Sequence, residues 1–260
     1  MPNARLSTLK LLLLVVVLLT SANVNAGLFG FGGNSWKEEV LLHDGQKIII
    51  KRSLSYGGRH EIGQSEPIKE QIISFLLPST NKTVTWTSEY ADDLGRTNFD
   101  LLAVHVLNGT PYVVAEPNLC LSYNKWGRPN PPYVFFKYDG KVWNRIPVSE
   151  FPTEFKTFNV VVGLANQTVE VLVKQGLVSA EFVRKQNGEL TRFRGQPTII
   201  REAMPNVGNS CAEMAYDGRG GWVGIDWFKD QPSYEACLQY CRQRITGAQY
   251  CLCDSFFKGK

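Results

Sequence analysis

The sequence predicts an α+β protein that is mainly β. An antiparallel meander of hairpins, folded as a sandwich or an incomplete propeller-like sheet, leads into a small helical, disulfide-rich C-terminal region. Three observations predict this. Four stretches before residue 150 read as strand, tight turn, strand. Their strands are rich in β-branched and aromatic residues, which suit a pleated, half-buried surface. Beyond Pro152 the pattern changes to short helical segments, and Cys211, Cys237, Cys241, Cys251 and Cys253 all follow. The corresponding organisation is a leader over 1–26, a hairpin body over 27–155 and a helical, Cys-rich region over 156–260 packed on that body.

Taken in order, the leader comes first. Arg5 and Lys10 precede an unbroken Leu/Val run from Leu11 to Leu19, and Val24-Asn25-Ala26 supplies small residues at signal-peptidase spacing. The run is well short of the roughly 20 apolar residues that span a bilayer. It therefore reads as a cleaved signal, leaving no integral membrane segment after cleavage. Gly27 to Gly33 is a glycine-rich lead with a high ordering cost.

The first hairpin places Asp44-Gly45 between Val40–His43 and Lys47–Ile50. Asp-Gly accepts the positive φ angles of a tight turn. The second joins Ile72–Leu77 to Thr83–Thr87 through 78–81, and Thr83-Val84-Thr85-Trp86-Thr87 alternates as a strand with one buried face should. Asn108-Gly109 and Asp139-Gly140 centre the third and fourth hairpins. Turn centres recurring at roughly 30 residues invite a propeller, but the turns differ and no blade signature repeats. Between hairpins lie two unusual loops, 57–61 and 119–132; Pro129, Pro131 and Pro132 with Gly127 exclude a regular element from the second half of the latter. Later, Thr168–Gln175 and Ala180–Gln186 read as short helices, with Gly176 stopping the first, Ser179 capping the second and Asn187-Gly188 ending it. A last helix starts at Ser233 and runs to about Arg244, with Gly247 beyond it.

Composition narrows the function classes. With 43% hydrophobic, 12% aromatic and 20% charged residues the chain is not globally disordered. Loss of Arg5 and Lys10 with the leader takes 28 basic residues to 26 against 24 acidic ones, so the net charge falls from +4 to +2. No basic cluster points to nucleic acid; Arg192, Arg194 and Arg201 read as a solvated face. Six Cys in an exported chain argue for disulfides. Cys237 and Cys241 share a helix face, so those two with Cys251 and Cys253 should pair among themselves, leaving Cys120 for Cys211. Four thiolates around zinc is the competing reading, but the spacing lacks the paired C-x2-C knuckles of such sites. No metal or other cofactor is expected.

The search for catalytic motifs is mostly negative. There is no G-x-S-x-G, H-E-x-x-H, P-loop or G-x-G-x-x-G. Ser79-x-x-Lys82 lies in a hairpin turn without companion motifs. His60 beside Glu61 on a Gly-rich loop is a weak acid/base candidate, with no nucleophile to serve. Cys120 with His105 or His60 could act as a thiol catalyst, against which its disulfide with Cys211 competes. Asp92-Asp93 and Glu150 with Glu154 are carboxylate pairs whose default is surface charge. Aromatic and arginine side chains on stiff loops suggest binding instead: Arg59, Tyr123, Trp126, Arg128 and Trp222 are the candidate anchors, with core filling as the bland alternative.

The segments Ser55–Gln64 (SYGGRHEIGQ), Cys120–Pro132 and Asn206–Cys253 resemble those of an uncharacterised family of exported bacterial proteins. The resemblance covers most of the mature chain. It implies a periplasmic location, in which Asn81, Asn108 and Asn166 of the N-x-T triplets are incidental, and it implies no activity. The function expected is that of an exported (periplasmic or secreted), non-enzymatic protein that binds another protein in the cell envelope, as an inhibitor, immunity protein or envelope factor. The alternatives are a cell-wall or carbohydrate-active hydrolase and a non-catalytic sugar-binding module.

Overall fold

Residues 33–194 and 197–258 are described by a computed structural model; the expected leader and most of the glycine-rich lead lie outside them. The strands run β1 (Asn34–Leu41), β2 (Lys47–Tyr56), β3 (Ile68–Leu76), β4 (Thr83–Thr87), β5 (Tyr90–Ala91), β6 (Arg96–Thr97), β7 (Phe99–Leu107), β8 (Thr110–Pro117), β9 (Val134–Tyr138), β10 (Trp143–Ile146), β11 (Leu177–Val178), β12 (Met214–Tyr216) and β13 (Trp222–Gly224). The helices are α1 (Leu119–Lys125), α2 (Asn166–Gln175), α3 (Ala180–Arg194), α4 (Asp226–Lys229), α5 (Tyr234–Arg244) and α6 (Cys253–Phe257).

Two sheets carry the body. The first has the order β11-β1-β2-β3-β4 and the second β10-β9-β8-β7. Each is a sequential antiparallel meander, the only addition being β11, which joins β1 in parallel. Period-two burial explains why they pack. Trp36, Glu38 and Val40 alternate inward along β1, as do Ile48, Ile50, Arg52 and Leu54 along β2. The inward faces of the two sheets share one core containing Val40, Ile50, Phe75 and Trp86 from the first and Leu101, Val104, Val113 and Phe136 from the second. This is a sandwich, which decides between the two architectures the sequence left open. The other face of the second sheet is covered by Phe151, Phe155 and Ile199, so its central strands are buried on both sides.

The turns follow local chemistry. Asn108 and Gly109 hold φ of 50° and 75°, the two left-handed residues that a two-residue hairpin requires. In the fourth hairpin Asp139 accepts from the backbone of Lys141 and Val142. Ser179 receives the Phe182 N–H and Ser233 the Ala236 N–H, as helix-capping residues do.

Three local expectations are corrected. The 119–132 stretch is not loop throughout: its first half forms α1, because nothing before Gly127 breaks a helix, while the proline-rich half remains irregular. α3 does not stop at Asn187-Gly188. It continues to Arg194, since buried Asn187 turns its amide onto Val162 N and Val160 O instead of capping the helix. Arg201 is no solvated residue either: it donates to the carbonyls of Phe151, Pro152 and Phe155 and lies over the Phe151 ring. The side chains of Arg192 and Arg194 lie outside the description.

The segment after β10 is threaded between elements by side-chain amides. Asn159 donates to Leu41 O and Val104 O and accepts from Val104 N. At the C-terminus, α5 carries Cys237 and Cys241 on one buried face, and bridges Cys237–Cys253 and Cys241–Cys251 fasten the tail to it around Phe228. Cys120–Cys211 spans 91 residues and ties α1 to the segment before β12. No helix among the described residues is long and apolar enough to cross a membrane.

Candidate functional site

The site is built around α1. Asn98, immediately before β7, anchors this helix: its backbone carbonyl accepts from Asn118 N and Ser122 Oγ, and its side-chain oxygen accepts from Trp126 Nε1. On the far side Asn124 donates to Ala212 O and accepts from Met214 N. Arg128 completes the tie, donating to Asn124 Oδ1 and Gly208 O while lying 5.0 Å from the Tyr123 ring centre. Gly208 packs so close to that ring that a Cβ would meet it at 2.4 Å, so only glycine lets the chain pass there. With Cys120–Cys211, these contacts hold the 206–214 segment against α1.

Two hollows flank the helix. One is a groove of about 680 Å³ lined by Arg59, Leu94, Arg96, Glu116, Leu119, Tyr123, Val207 and the Cys120–Cys211 bridge among others. It continues inward: Arg96, Glu116, Asn118 and Pro132 also line a deeper cavity of about 870 Å³. The cavity has an apolar wall that includes Leu102, Phe158, Leu164, Leu190, Ile200 and Met204. Its lining includes the point where an extra residue in β7 interrupts the register between Leu101 and Ala103, a bulge of the kind that re-aims side chains near sites.

The polar lining of the cavity is a buried network that the sequence reading missed. Arg52, about 1% exposed, donates to Glu38, Val161 O and Gln71. Gln71 and Asn118 then donate to the two carboxylate oxygens of Asp100. Burial pushes the Asp100 carboxyl above its ordinary range despite these bonds and the nearby charge of Arg52. It likewise raises the Tyr133 hydroxyl, with the charge of Glu116 adding to the effect. Arg52 Nε and Asn118 Oδ1 are buried without a hydrogen-bond partner among the described residues.

On the other side of α1 lies a second hollow of about 700 Å³, lined by Tyr90, Trp126, Tyr216, Trp222 and Tyr250 together with Glu89, Asp92 and Asp93. Trp222 donates to Asp93 O, and Asp93 pairs with Lys125 at 2.7 Å.

The predicted anchors are thus divided by the helix. Arg59 and Tyr123 meet in the groove, Trp126 and Trp222 in the aromatic hollow, and Arg128 braces the wall between them and the 206–214 segment. Trp126 is half-buried and packs tilted against Phe99, with ring centres 4.5 Å apart; Tyr123 is buried. His60 and Glu61 stand exposed on their loop, where His60 Nδ1 faces Gly58 O at 2.9 Å and Glu61 accepts from Gln64. His105 is buried, stacks on Phe155 at 4.3 Å, and has its pKa lowered to about 4, chiefly by desolvation. Its distance in function from Cys120 is settled by the Cys120–Cys211 bridge, which leaves no thiol there.

Sequence reasoning did not single out Arg96, Asn98, Asn118 or Leu119. Leu119 is the most informative of these: it is 65% exposed, lines the groove, and holds a φ of 61°. A bulky residue in that left-handed conformation is strained, and strain of this kind gathers at functional positions.

Comparison with family models, curated proteins and solved structures finds no match for the chain. The groove, the cavity and the aromatic hollow therefore carry the functional argument.

Proposed function

We propose that the protein is an exported, periplasmic or secreted, non-enzymatic protein that binds another protein of the cell envelope through the face centred on α1. The observation that carries this reading is Leu119: an exposed leucine kept at positive φ on the lip of a groove whose walls are braced by a disulfide and by Arg128. Rigid walls lower the ordering cost of association, and Leu119 offers exposed apolar area in the same lining as Arg59 and Tyr123, residue types that anchor interfaces. Three disulfides suit an oxidising compartment. The placement of His60 on its own loop carbonyl and the desolvated, uncharged state of His105 near neutral pH also favour binding over hydrolysis.

The test is affinity capture from envelope extract with wild type and Leu119→Asn. Asn tolerates positive φ better than Leu, so the variant should fold with equal or slightly higher stability and lose its near-stoichiometric partner. Equal recovery by both proteins, or no partner on the wild type, would refute the proposal.

A second reading, a non-catalytic sugar-binding module, draws on the aromatic hollow, where Trp222 and Tyr216 lie 5.7 Å apart beside Glu89 and Asp92. Rings that stack on sugar faces and carboxylates that accept from hydroxyls occur together there. Glycan-array binding that disappears in Trp222→Ala would favour it; an array without signal for the wild type would remove it.

A further inference from the structure

The groove and the cavity behind it have a chemistry of their own. Arg59 lines the groove and Arg96 lines both spaces, and neither guanidinium has an ion-pair or hydrogen-bond partner among the described residues. The two are brought close by their backbone, Arg59 N donating to the carbonyl of Gly95 beside Arg96 at 2.8 Å. The acidic group common to both spaces is Glu116, so the entrance carries two cations against one anion. Within the cavity the positive charge of Arg52 is met by Glu38, while Asp100 feels the charge of Arg96 but has its carboxylate oxygens engaged by Gln71 and Asn118. The entrance therefore favours an anion, while most of the space behind it is apolar.

We propose that this combined site accepts the carboxyl terminus of a partner chain ending in a bulky apolar residue. The inference rests on the reading of the α1 face as a protein-binding surface and names what enters it. The terminal carboxylate sits on Arg59 and Arg96, and the last side chain enters the cavity against Leu102, Phe158, Ile200 and Met204. An internal Asp or Glu supplies the anion without the apolar group, and an internal Leu or Phe supplies the reverse. Only a terminal residue carries both on one Cα. The cavity volume, about 870 Å³, falls within the range of roughly 300–1,000 Å³ common for binding pockets.

A fatty acid also presents a carboxylate on an apolar body. The reading of the α1 face as a protein-binding surface favours the peptide terminus, and competition with a fatty acid separates the two.

The test uses fluorescence polarisation with labelled heptapeptides whose last four residues are randomised and end in Leu, Ile, Val or Phe, each made as free acid and as C-terminal amide. Palmitate serves as the competitor. The expected result is a set of peptides that bind as acids and about tenfold or more weaker as amides, the loss of a charge-assisted contact. Arg96→Gln and Arg59→Gln should each narrow the acid-to-amide ratio; both positions are exposed or half-exposed and their replacement leaves the core intact. Equal affinity of acids and amides, absence of any binding peptide, unchanged ratios in both arginine variants, or displacement of peptides by palmitate at lower concentration than by unlabelled peptide would each overturn the inference. If these fail while Leu119→Asn still loses the captured partner, the partner-binding face stands and only the terminus is wrong. If Leu119→Asn keeps its partner as well, both readings fall.

Discussion

Arg52→Met is the substitution with the most to reveal about what holds the sandwich together. Arg52 is about 1% exposed and Glu38 is fully buried, with Nη1 3.3 Å from Oε1. Arg52 also donates to Val161 O at 2.6 Å and to Gln71 at 2.8 Å. Methionine fills a similar volume but leaves the Glu38 carboxylate buried without its counter-charge, a change that costs about 3–5 kcal/mol in other buried pairs. Glu38 cannot simply be deleted in compensation, because it accepts from Trp36 Nε1 at 2.6 Å and from Val161 N at 3.0 Å. Gln at position 38 removes the charge and keeps an acceptor. The double variant Glu38→Gln with Arg52→Met should therefore be more stable than Arg52→Met alone, by about 2 kcal/mol. Urea unfolding with the disulfides intact measures this: the midpoint should fall sharply in the single variant and recover in part in the double one, with the slope unchanged. A double variant no more stable than the single, or a single variant costing under about 1 kcal/mol, would show that the charge pair is not what makes Arg52 matter.

Two further outcomes follow from the same structure. Burial lowers the pKa of His105 to about 4 from its ordinary 6.5, so the unfolded chain binds the extra proton between these values and stability should rise with pH across that window. The contribution is complete above about pH 6.5, is lost as pH falls through about 4, and amounts to about 3 kcal/mol at most. His105→Gln should lack this slope, so the wild-type-minus-variant difference in unfolding free energy should increase as pH rises from 4 to 6.5, and a difference that stays constant would contradict the assignment. The bridge Cys120–Cys211 closes a separation of 91 residues. Replacing both Cys by Ala should lower stability by about 4.6 kcal/mol from loop entropy alone and weaken partner capture through the loosened groove wall; unchanged capture would mean that Arg128 and Asn124 hold the wall unaided.

Much of the body was legible because its signals are local. Each hairpin declares itself in a few residues of alternation around Asp-Gly, Asn-Gly or a Pro-led turn, and Ser179, Gly176 and Ser233 mark helix ends by their own hydrogen-bonding chemistry. The grouping of Cys237, Cys241, Cys251 and Cys253 was equally local. The charged network was present in the sequence too, in a form easily overlooked. Trp36-x-Glu38-x-Val40 and Ile48-x-Ile50-x-Arg52-x-Leu54 place opposite charges on the parity that the apolar residues mark as buried. The candidate site was less legible. Arg59 and Tyr123 were picked out as binding residues, but nothing local says that they share a groove, or that Trp126 turns to the opposite side of α1.

What the sequence by itself determined is the strands of the four hairpins but not the short β5, β6, β11, β12 and β13, together with most turns and caps and the chemistry compatible with an oxidising compartment. These depend on side chains within a few residues of one another. The tertiary structure alone decided that the two meanders face each other as a sandwich, that Asn187 bonds across rather than ending a helix, and that Arg96, Asn118 and Leu119 border a common space. Those outcomes rest on partners such as Asn159 and Leu41, 118 residues apart. Whether such groups meet depends on how whole sheets pack, where burial of apolar faces sets the position and the polar atoms must then find what lies within reach.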